Sequence, residues 1–273
     1  MSEDPEPARN ISGGASGGGR RDRFEQGTAE TRAEAVIDRL GEQYWTKTYG
    51  GRPAFECLVR TILSQNTSDA ASQPAHDELM TRYDHEERDL AETLASADVD
   101  ELASTIESAG LYNQKARSIS RAAEHVLAEY GSADAFDEFV RAAEPDEVRQ
   151  ALLEMKGVGP KTADCVLLFA GGQSGVFPVD THVHRIYRRM GIAPPDADHE
   201  AVRETLEATV PAEKCGFGHT ASIQFGREYC SARTPACLQG ADACPMSDLC
   251  DQVGVNADSG TVVDPADAPE AGE

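Results

Sequence analysis

One short stretch of the sequence, MKGVGPKTADC, combines a glycine turn with a lysine at the start of an apolar run. The pattern predicts two helices joined by a tight hairpin at Gly157-Val158-Gly159. Glycines allow positive φ and let a phosphate approach closely, and the amides at the amino end of the second helix form an anion site. Such contacts bind a nucleic-acid backbone without reading its bases. A plain interhelical loop, with Lys161 as a surface lysine, would have the same local pattern.

Asp180 follows Lys161 by nineteen residues and stands directly before an amphipathic pattern in VDTHVHRIYRRMG. Aspartate favours the N-cap of a helix, and the helix dipole stabilises its ionised form. An ionised aspartate facing a lysine also suits a reaction that builds positive charge on a sugar. His182 and His184 are two residues apart and point to different helix faces. We therefore interpret these histidines as DNA-side or core residues and not as metal ligands.

A polar turn, Gln65-Asn66-Thr67, follows the apolar run VRTIL, and Ser68 or Asp69 is expected to cap the next helix. An enzyme that extracts a base from a duplex needs a short polar side chain to fill the vacated space. An ordinary interhelical turn would have the same composition.

The carboxy-terminal cysteines have an unusual spacing. Gaps of six, six and five residues separate Cys230, Cys237, Cys244 and Cys250. Structural zinc sites usually contain short Cys-x2–4-Cys pairs, which are absent from this loop. Four thiolates in a wide loop are more typical of an iron–sulfur cluster, although buried or disulfide-bonded cysteines remain an alternative. The other three cysteines (Cys57, Cys165 and Cys215) lie in helical apolar contexts and are predicted to be core residues.

The composition is strongly acidic, with 25 basic and 48 acidic residues and a net charge of −23. Only five residues are lysine. Because concentrated salt screens exposed charges, this balance predicts a salt-adapted organism. The net charge argues against a nucleic-acid partner, but the windows 110–121 and 151–191 are locally basic.

The remaining features predict a helical protein with flexible ends. Residues 1–28 are rich in Gly and Ser, residues 253–273 are acidic, and both segments are expected to be disordered. Apolar residues recur at helical spacing between them, as at Ile119, Ala122, Ala123 and Val126, and long alternating strand patterns are absent. No run is long enough to span a membrane and no signal peptide is recognisable. We expect an all-α, cytoplasmic protein that does not bind membranes.

Taken in order, the motifs LSQNTSD, GLYNQKA, GVGPKTAD, VDTHVHR and the cysteine loop resemble the helix-hairpin-helix DNA glycosylases of the endonuclease III family. The resemblance covers about residues 30–250 and implies two helical lobes with a DNA-binding groove between them. A six-helix barrel would span 47–173, with the hairpin at about 150–170. A lobe containing a [4Fe-4S] cluster would combine 29–46 with 174–252.

The resemblance also implies a mechanism. Lys161 matches the catalytic lysine and Asp180 the catalytic aspartate, and the four cysteines match the cluster ligands. The family removes oxidised pyrimidines from double-stranded DNA and cleaves abasic sites by β-elimination through a lysine Schiff base. We expect a monomer whose DNA contacts come from Gly157, Val158, Gly159, Gln65, Asn66, Arg185 and Arg233.

The sequence departs from the family pattern in three places. Six residues instead of two separate the second and third cysteines, so the loop must bulge locally. The segment between the first two cysteines keeps only Arg233 of its usual basic residues. The glutamine that fills the DNA stack is shifted by one position, which leaves Gln65 and Asn66 as alternatives.

Two other functions remain open at this stage. The first keeps the fold and changes the substrate, as in a G·T or G·U mismatch glycosylase or an adenine glycosylase. The second is a non-catalytic DNA-binding iron–sulfur protein, which the presence of both Lys161 and Asp180 disfavours.

The acidic composition leads to a prediction about salt. Because carboxylate repulsion destabilises the compact state in dilute buffer, the melting temperature should rise as KCl is increased to molar concentration. Thermal melts monitored by circular dichroism across a KCl series would measure this. A melting temperature that is constant or falls with KCl would rule out salt adaptation.

Overall fold

The computed structural model describes residues 9–11, 21–22, 27–47, 50–85 and 87–268. Twelve α-helices lie within these residues, which confirms the all-α prediction. No helix in the described ranges is both long and apolar enough to cross a membrane. The chain divides into two compact units, Gly50–Gln173 and Met1–Tyr49 together with Ser174–Glu273. The sequence prediction put the corresponding boundaries at 46/47 and 173/174.

The helices and strands are short. The helices are α1 (Arg32–Gln43), α2 (Ala54–Ser64), α3 (Asp69–Tyr83), α4 (Leu90–Ser96), α5 (Val99–Thr105), α6 (Tyr112–Tyr130), α7 (Ala133–Ala142), α8 (Pro145–Glu154), α9 (Pro160–Phe169), α10 (Thr181–Arg189), α11 (His199–Thr209) and α12 (Ala212–Glu228). The strands are β1 (Arg9–Asn10), β2 (Arg21–Asp22), β3 (Tyr44–Lys47), β4 (Val255–Asn256) and β5 (Thr261–Val262).

Unit Gly50–Gln173 is built around α2 and α6. Helix α2 packs against α3 and α9, and α6 packs against α4 and α5. Apolar side chains at helical spacing face inward, and the largest that are fully buried are Phe55, Leu58, Ile62, Leu63, Leu79 and Phe136. On α6 the buried face contains the predicted apolar residues and also Lys115. This lysine is the one charged group on that face.

Aspartate side chains begin several of these helices. Asp98 Oδ1 accepts hydrogen bonds from the amides of Asp100 and Glu101 at 2.9 and 3.0 Å, which starts α5. Asp89 caps α4 in the same way, and its Oδ2 accepts a bond from the Ala133 amide at the start of α7 at 2.9 Å. Each cap satisfies helix amides that would otherwise lack partners, and Asp89 also links two helices.

The second unit encloses its own core between α1, α10, α11 and α12. Its largest fully buried side chains are Tyr44, Tyr187, Phe177, Phe225, Ile37 and Leu40. A buried ionic group lies between α1 and α12, where Lys214 Nζ donates to Glu34 at 2.7 Å and to Asp38 at 2.6 Å. This group joins α1 to α12.

The carboxy-terminal segment corrects one expectation. Residues 253–268 were predicted to be disordered, but β4 and β5 pair antiparallel within them. The Val253 amide donates to the Arg189 carbonyl at 2.8 Å, and Asp264 accepts a hydrogen bond from Arg188 at 2.5 Å. The prediction from composition was wrong here because polar bonds to α10 hold the segment, whereas the prediction considered only its acidic character. Residues 269–273 lie outside the described residues.

The amino-terminal expectation also needs correction where residues are described. Strand β3 pairs in parallel with β1 and antiparallel with β2, so four residues of the predicted tail 1–28 belong to a small sheet. Most of the remaining tail, including the Gly- and Ser-rich stretch 12–20, lies outside the described residues.

The buried Lys214 group should contribute strongly to stability. Replacing Lys214 by Ala leaves two buried carboxylates without their cation, so the free energy of unfolding should fall by about 3–5 kcal/mol. Urea denaturation at fixed KCl would measure the change. Lys156→Ala is the matched control, because Lys156 is exposed. Substitutions at the surface usually change the free energy of unfolding by no more than about 0.5 kcal/mol. Equal stability of both variants would contradict the prediction.

Candidate active site

The predicted hairpin joins α8 to α9 at residues 155–159. The Val158 amide donates to the Met155 carbonyl at 3.0 Å, and Val158 is buried. Gly157 has φ +100, and a Cβ there would lie 2.9 Å from Ser118 Oγ. Gly157 is therefore required by both its backbone conformation and its surroundings.

Gly159 differs from its predicted role. It has φ −101 and ψ 174, an extended conformation open to any residue, so only one of the two glycines needs positive φ. No atom of the described residues lies within 4 Å of a Cβ built at Gly159. The open space beside Gly159 allows the phosphate backbone of a nucleic acid to approach closely, which is the other role predicted for these glycines.

Lys161 is the second residue of α9 and is partly buried, directly after Pro160 at the first helical position. No side chain caps this helix, and its first turn contains no acidic residue. The positive end of the helix dipole is therefore not neutralised locally, which favours binding of an anion such as phosphate.

A buried ion pair holds α9 in position beneath Lys161. Asp164 is 2% exposed and accepts a hydrogen bond from Arg149 Nε of α8 at 2.7 Å. Because the pair joins the two helices of the hairpin, it fixes the orientation of the turn between them. The residues that follow Lys161 on α9 are almost all buried, so the lysine marks the outer start of an anchored helix.

The structure separates the two alternatives for the residue that fills the DNA stack. Gln65 Nε2 donates to Thr162 Oγ1 at 3.1 Å and to the Gly157 carbonyl at 3.4 Å. Asn66 is exposed at the tip of the turn with φ +53, a left-handed conformation that Asn tolerates. The contacts favour Gln65 as the link between this turn and the hairpin, and Asn66 as the side chain available to DNA.

One residue of this unit was missed by sequence reasoning. Leu111 is 56% exposed, the one large apolar side chain with such exposure among the described residues. It also has φ +49, which is unfavourable for leucine. Apolar side chains presented in this way can insert between base steps. The available signal was an apolar residue directly after Gly110 in the motif GLYNQKA, to which the sequence analysis gave no role of its own.

Asp180 begins α10 as predicted. Its Oδ1 accepts hydrogen bonds from the amides of His182 at 2.8 Å and Val183 at 2.9 Å. The side chain is partly buried, and the cap holds its carboxylate at the positive end of the helix. Asp180 belongs to the second unit, whereas Lys161 belongs to Gly50–Gln173.

The two histidines of α10 make separate contacts. Burial lowers the pKa of both His182 and His184. His182 Nδ1 lies 3.1 Å from an Arg185 nitrogen, and His184 stacks on His199 with ring centroids 4.0 Å apart. Among the described residues no group of three or more His, Cys, Asp or Glu side chains forms a site for a single metal ion.

Arg185 and Arg233, both predicted DNA contacts, have different environments. Arg185 is half-buried and donates to the Cys230 carbonyl through Nε at 3.1 Å and through a terminal nitrogen at 2.8 Å. These bonds favour a role in fixing the first cluster cysteine to α10. Arg233 is exposed in the loop between the first two cysteines, where its side chain is accessible to phosphate.

The four cysteines of the predicted cluster lie near one another after α12. Burial, together with the charges of the other three thiols, raises the pKa of Cys250 to about 12. Burial likewise raises the pKa of Cys237 and of Cys244, again with contributions from neighbouring thiols. Arg189 of α10 lies close to two of these thiols, since its guanidinium is 3.5 Å from Cys230 Sγ and its carbonyl oxygen is 3.7 Å from Cys250 Sγ. Because burial disfavours thiolates, a positively charged group is needed to stabilise them.

A buried arginine adds a second observation about this loop. Arg189 is 3% exposed, and its Nη1 lies 3.5 Å from Cys230 Sγ and donates to the Ser231 carbonyl at 2.8 Å. Its Nε is buried without a hydrogen-bond acceptor among the described residues. A buried donor beside four thiols fits a bound group that offers acceptors, as the sulfides of a cluster do.

The long gap between the second and third cysteines forms the predicted bulge. Two short 3₁₀ turns, Ala236–Gln239 and Ala241–Ala243, are joined at Gly240 with φ +121. Residues 239–242 are exposed. The extra residues therefore lie at the surface of the loop.

Comparisons with known proteins agree with this geometry. Residues 59–212 match the protein-family model described as "HhH-GPD superfamily base excision DNA repair protein". Endonuclease III of Bacillus subtilis (strain 168) is 33% identical over 220 residues, covering 80% of this chain and 90% of that protein. Endonuclease III of Thermotoga maritima is 31% identical over 183 residues, covering 67% of this chain and 78% of that protein.

Solved structures give the same result. A trapped covalent intermediate of endonuclease III with DNA has a TM-score of 0.61 and 30% identity, covering 75% of this chain and 86% of that chain. A thermostable thymine-DNA glycosylase has a TM-score of 0.64 at 22% identity, covering 81% of this chain and 96% of that one, and supports the fold alone. The chain therefore belongs to the HhH-GPD superfamily of base excision DNA repair proteins, which confirms its resemblance to the endonuclease III enzymes.

Proposed function

We propose that this DNA repair glycosylase is bifunctional: it removes an oxidised pyrimidine from double-stranded DNA and then cleaves the strand at the abasic site. The observation that carries the proposal is the position of Lys161, at the start of an uncapped helix directly after the Gly157 turn. The hairpin binds phosphate, and the lysine is next to that phosphate. Further support comes from endonuclease III, which has been trapped in a covalent intermediate with DNA.

The reaction begins with attack by the neutral Lys161 amine on C1′ of the damaged nucleotide. The bond between C1′ and the base breaks, and the base leaves with the electron pair and takes up a proton. Opening of the sugar ring gives a Schiff base between Lys161 Nζ and C1′. Removal of a proton from C2′ then expels the 3′ phosphate, which cuts the strand 3′ to the lesion.

Asp180 assists at two points in this proposal. Its carboxylate accepts a proton from the attacking amine and stabilises the positive charge that develops on the sugar. The hydrogen bonds from the α10 amides hold the carboxylate in one orientation.

Lys161 should be the residue that borohydride traps on DNA. Reduction of the Schiff base makes the adduct permanent, so wild-type protein should form a covalent complex with an abasic duplex, and Lys161→Ala should not. Denaturing electrophoresis after incubation in molar KCl would measure the adduct. Lys156→Ala is the matched control and should still be trapped. An adduct that persists in Lys161→Ala would refute the assignment of the nucleophile.

The substrate class can be tested separately with single-lesion duplexes. Thymine glycol represents the oxidised pyrimidines, and G·T, G·U and A·8-oxoguanine pairs represent the alternatives. Preferential release of thymine glycol would support the proposal. Preferential release from a mismatch would keep the glycosylase activity and replace its substrate.

We further propose that Cys230, Cys237, Cys244 and Cys250 hold a [4Fe-4S] cluster. Four neighbouring thiols and the unpartnered donor of Arg189 fit such a group. The cluster would supply structural cross-links through its iron–thiolate bonds. Around it, Arg189 and Arg185 fix the loop to α10 through the carbonyls of Ser231 and Cys230.

Purified protein should therefore contain iron and acid-labile sulfide in equal amounts and absorb in the blue region of the visible spectrum. Cys237→Ser should lose most of the iron and sulfide, because one of four ligands is removed. Cys57→Ala is the matched control, since Cys57 is buried in the other unit, and should keep both. Stoichiometric zinc in place of iron and sulfide would contradict the cluster.

A further inference from the structure

Lys115 occupies an unusual position on α6. It is 3% exposed and lies on the face of the helix that packs into the core. Its ammonium donates to three acceptors, the Leu63 carbonyl at 2.7 Å, Thr67 Oγ1 at 2.7 Å and the Ala109 carbonyl at 2.8 Å. An ammonium has three N–H groups, so every donor of Lys115 is used.

The three acceptors belong to two turns that are far apart in sequence. Leu63 and Thr67 bracket the turn with Asn66 at its tip, and Ala109 ends the 3₁₀ turn that leads to Leu111. The Thr67 hydroxyl also donates to the Ala109 carbonyl at 2.5 Å. Lys115 and Thr67 thus connect the two turns directly.

Both tip residues have strained backbones. The non-glycine residues with positive φ in the described ranges are Asn66, Leu111 and Gln252, and two of these three are on the turns that Lys115 joins. Such conformations cost about 1–3 kcal/mol each and persist where the surrounding structure fixes them. The bonds from Lys115 are the connections that restrain both turns at once.

A stabilising role alone does not explain a lysine here. Its three acceptors are two carbonyls and a hydroxyl, all neutral, and burial lowers the pKa of Lys115. Burying an ammonium against neutral groups is costly, and buried ions of this kind often contribute little net stability. What Lys115 provides is a fixed geometry between two turns, from which an exposed amide and an exposed leucine protrude.

We propose that Lys115 is a positioning residue that fixes the 65–67 and 109–111 turns as one unit, so that Asn66 and Leu111 enter the DNA duplex together when a base is extracted. The inference rests on the proposed glycosylase function. Asn66 fills the space of the extracted base, and Leu111 enters the stack beside it. Lys115 contacts neither the lesion nor the reacting sugar and acts through the two turns.

The test separates entry into the duplex from the chemistry at Lys161. Lys115→Met keeps the apolar stem and removes the ammonium, and Thr67→Val removes the bridging hydroxyl with little change in shape. Each variant is assayed for release of thymine glycol from a duplex and for β-elimination of a single-stranded abasic oligonucleotide, which has no base stack to enter. Lys214→Met is the matched control, because it removes a buried lysine from the other unit.

The expected result is a selective defect. Since displacement by about 1 Å can cost about 100-fold in rate, kcat/KM on the duplex should fall about 10- to 100-fold in Lys115→Met, and less in Thr67→Val. Activity on the single strand should stay near the wild-type value. Amide hydrogen exchange should become faster in residues 65–67 and 109–111. Lys214→Met should leave the ratio of the two activities unchanged, even where it lowers stability.

Two results would overturn the inference. One is an equal loss on both substrates, which would make Lys115 a general stabilising residue. The other is unchanged activity on both, with unchanged exchange in the two turns. Failure of the proposed function is recognised separately, because wild-type protein would then form no borohydride adduct with the single strand.

Discussion

The placement of a few lysine side chains among many carboxylates is the constraint on which this structure depends. The chain has 48 acidic residues and only five lysines, so each cation can be neutralised by the many carboxylates around it. Two of the lysines, Lys115 and Lys214, are buried and held by fixed acceptors. Lys214 is held between two carboxylates of α1, whereas Lys115 is held by neutral acceptors only. Lys161 is placed on a helix whose first turn has no acidic residue.

The same constraint organises α10, where three arginines are used inside the protein. Arg185 binds the Cys230 carbonyl, Arg188 binds Asp264 of the carboxy-terminal segment, and Arg189 lies against Cys230 Sγ. Each guanidinium offers several donors in a fixed plane, so one helix can hold the cysteine loop and the terminal hairpin. The acidic terminal segment contributes to this arrangement, because Asp264 pairs with the buried guanidinium of Arg188.

Local features of the sequence predicted much of the fold. Periodicity located α6 and the glycine turn located the hairpin, since each depends on neighbours within one or two helical turns. The features that were missed depend on contacts between distant segments. Lys115 is separated by 52 and 48 positions from two of its acceptors. Arg185 is 45 positions from the carbonyl that it binds, and neither contact has a local signal.

The residues of the candidate site also divide into those with a local sequence signal and those that depend on distant contacts. Lys161, Asp180 and the four cysteines have local patterns that indicate their chemistry, and the structure places them on the elements that those patterns predict. The choice between Gln65 and Asn66 had no local solution, because both are polar residues of one turn. Contacts with the distant hairpin distinguish them, since Gln65 binds Thr162, which lies 97 positions away in the sequence.

A physical link between the cysteine loop and Asp180 runs along α10. Asp180 caps the amino end of the helix, and Arg189 at the carboxyl end contacts the loop. Between them, Arg185 binds the carbonyl of the first cysteine. A nine-residue helix anchored at both ends has little freedom to rotate, so the loop sets the direction in which the Asp180 carboxylate points. In the proposed function, the cysteine loop would therefore contribute to the reaction by fixing the position of Asp180.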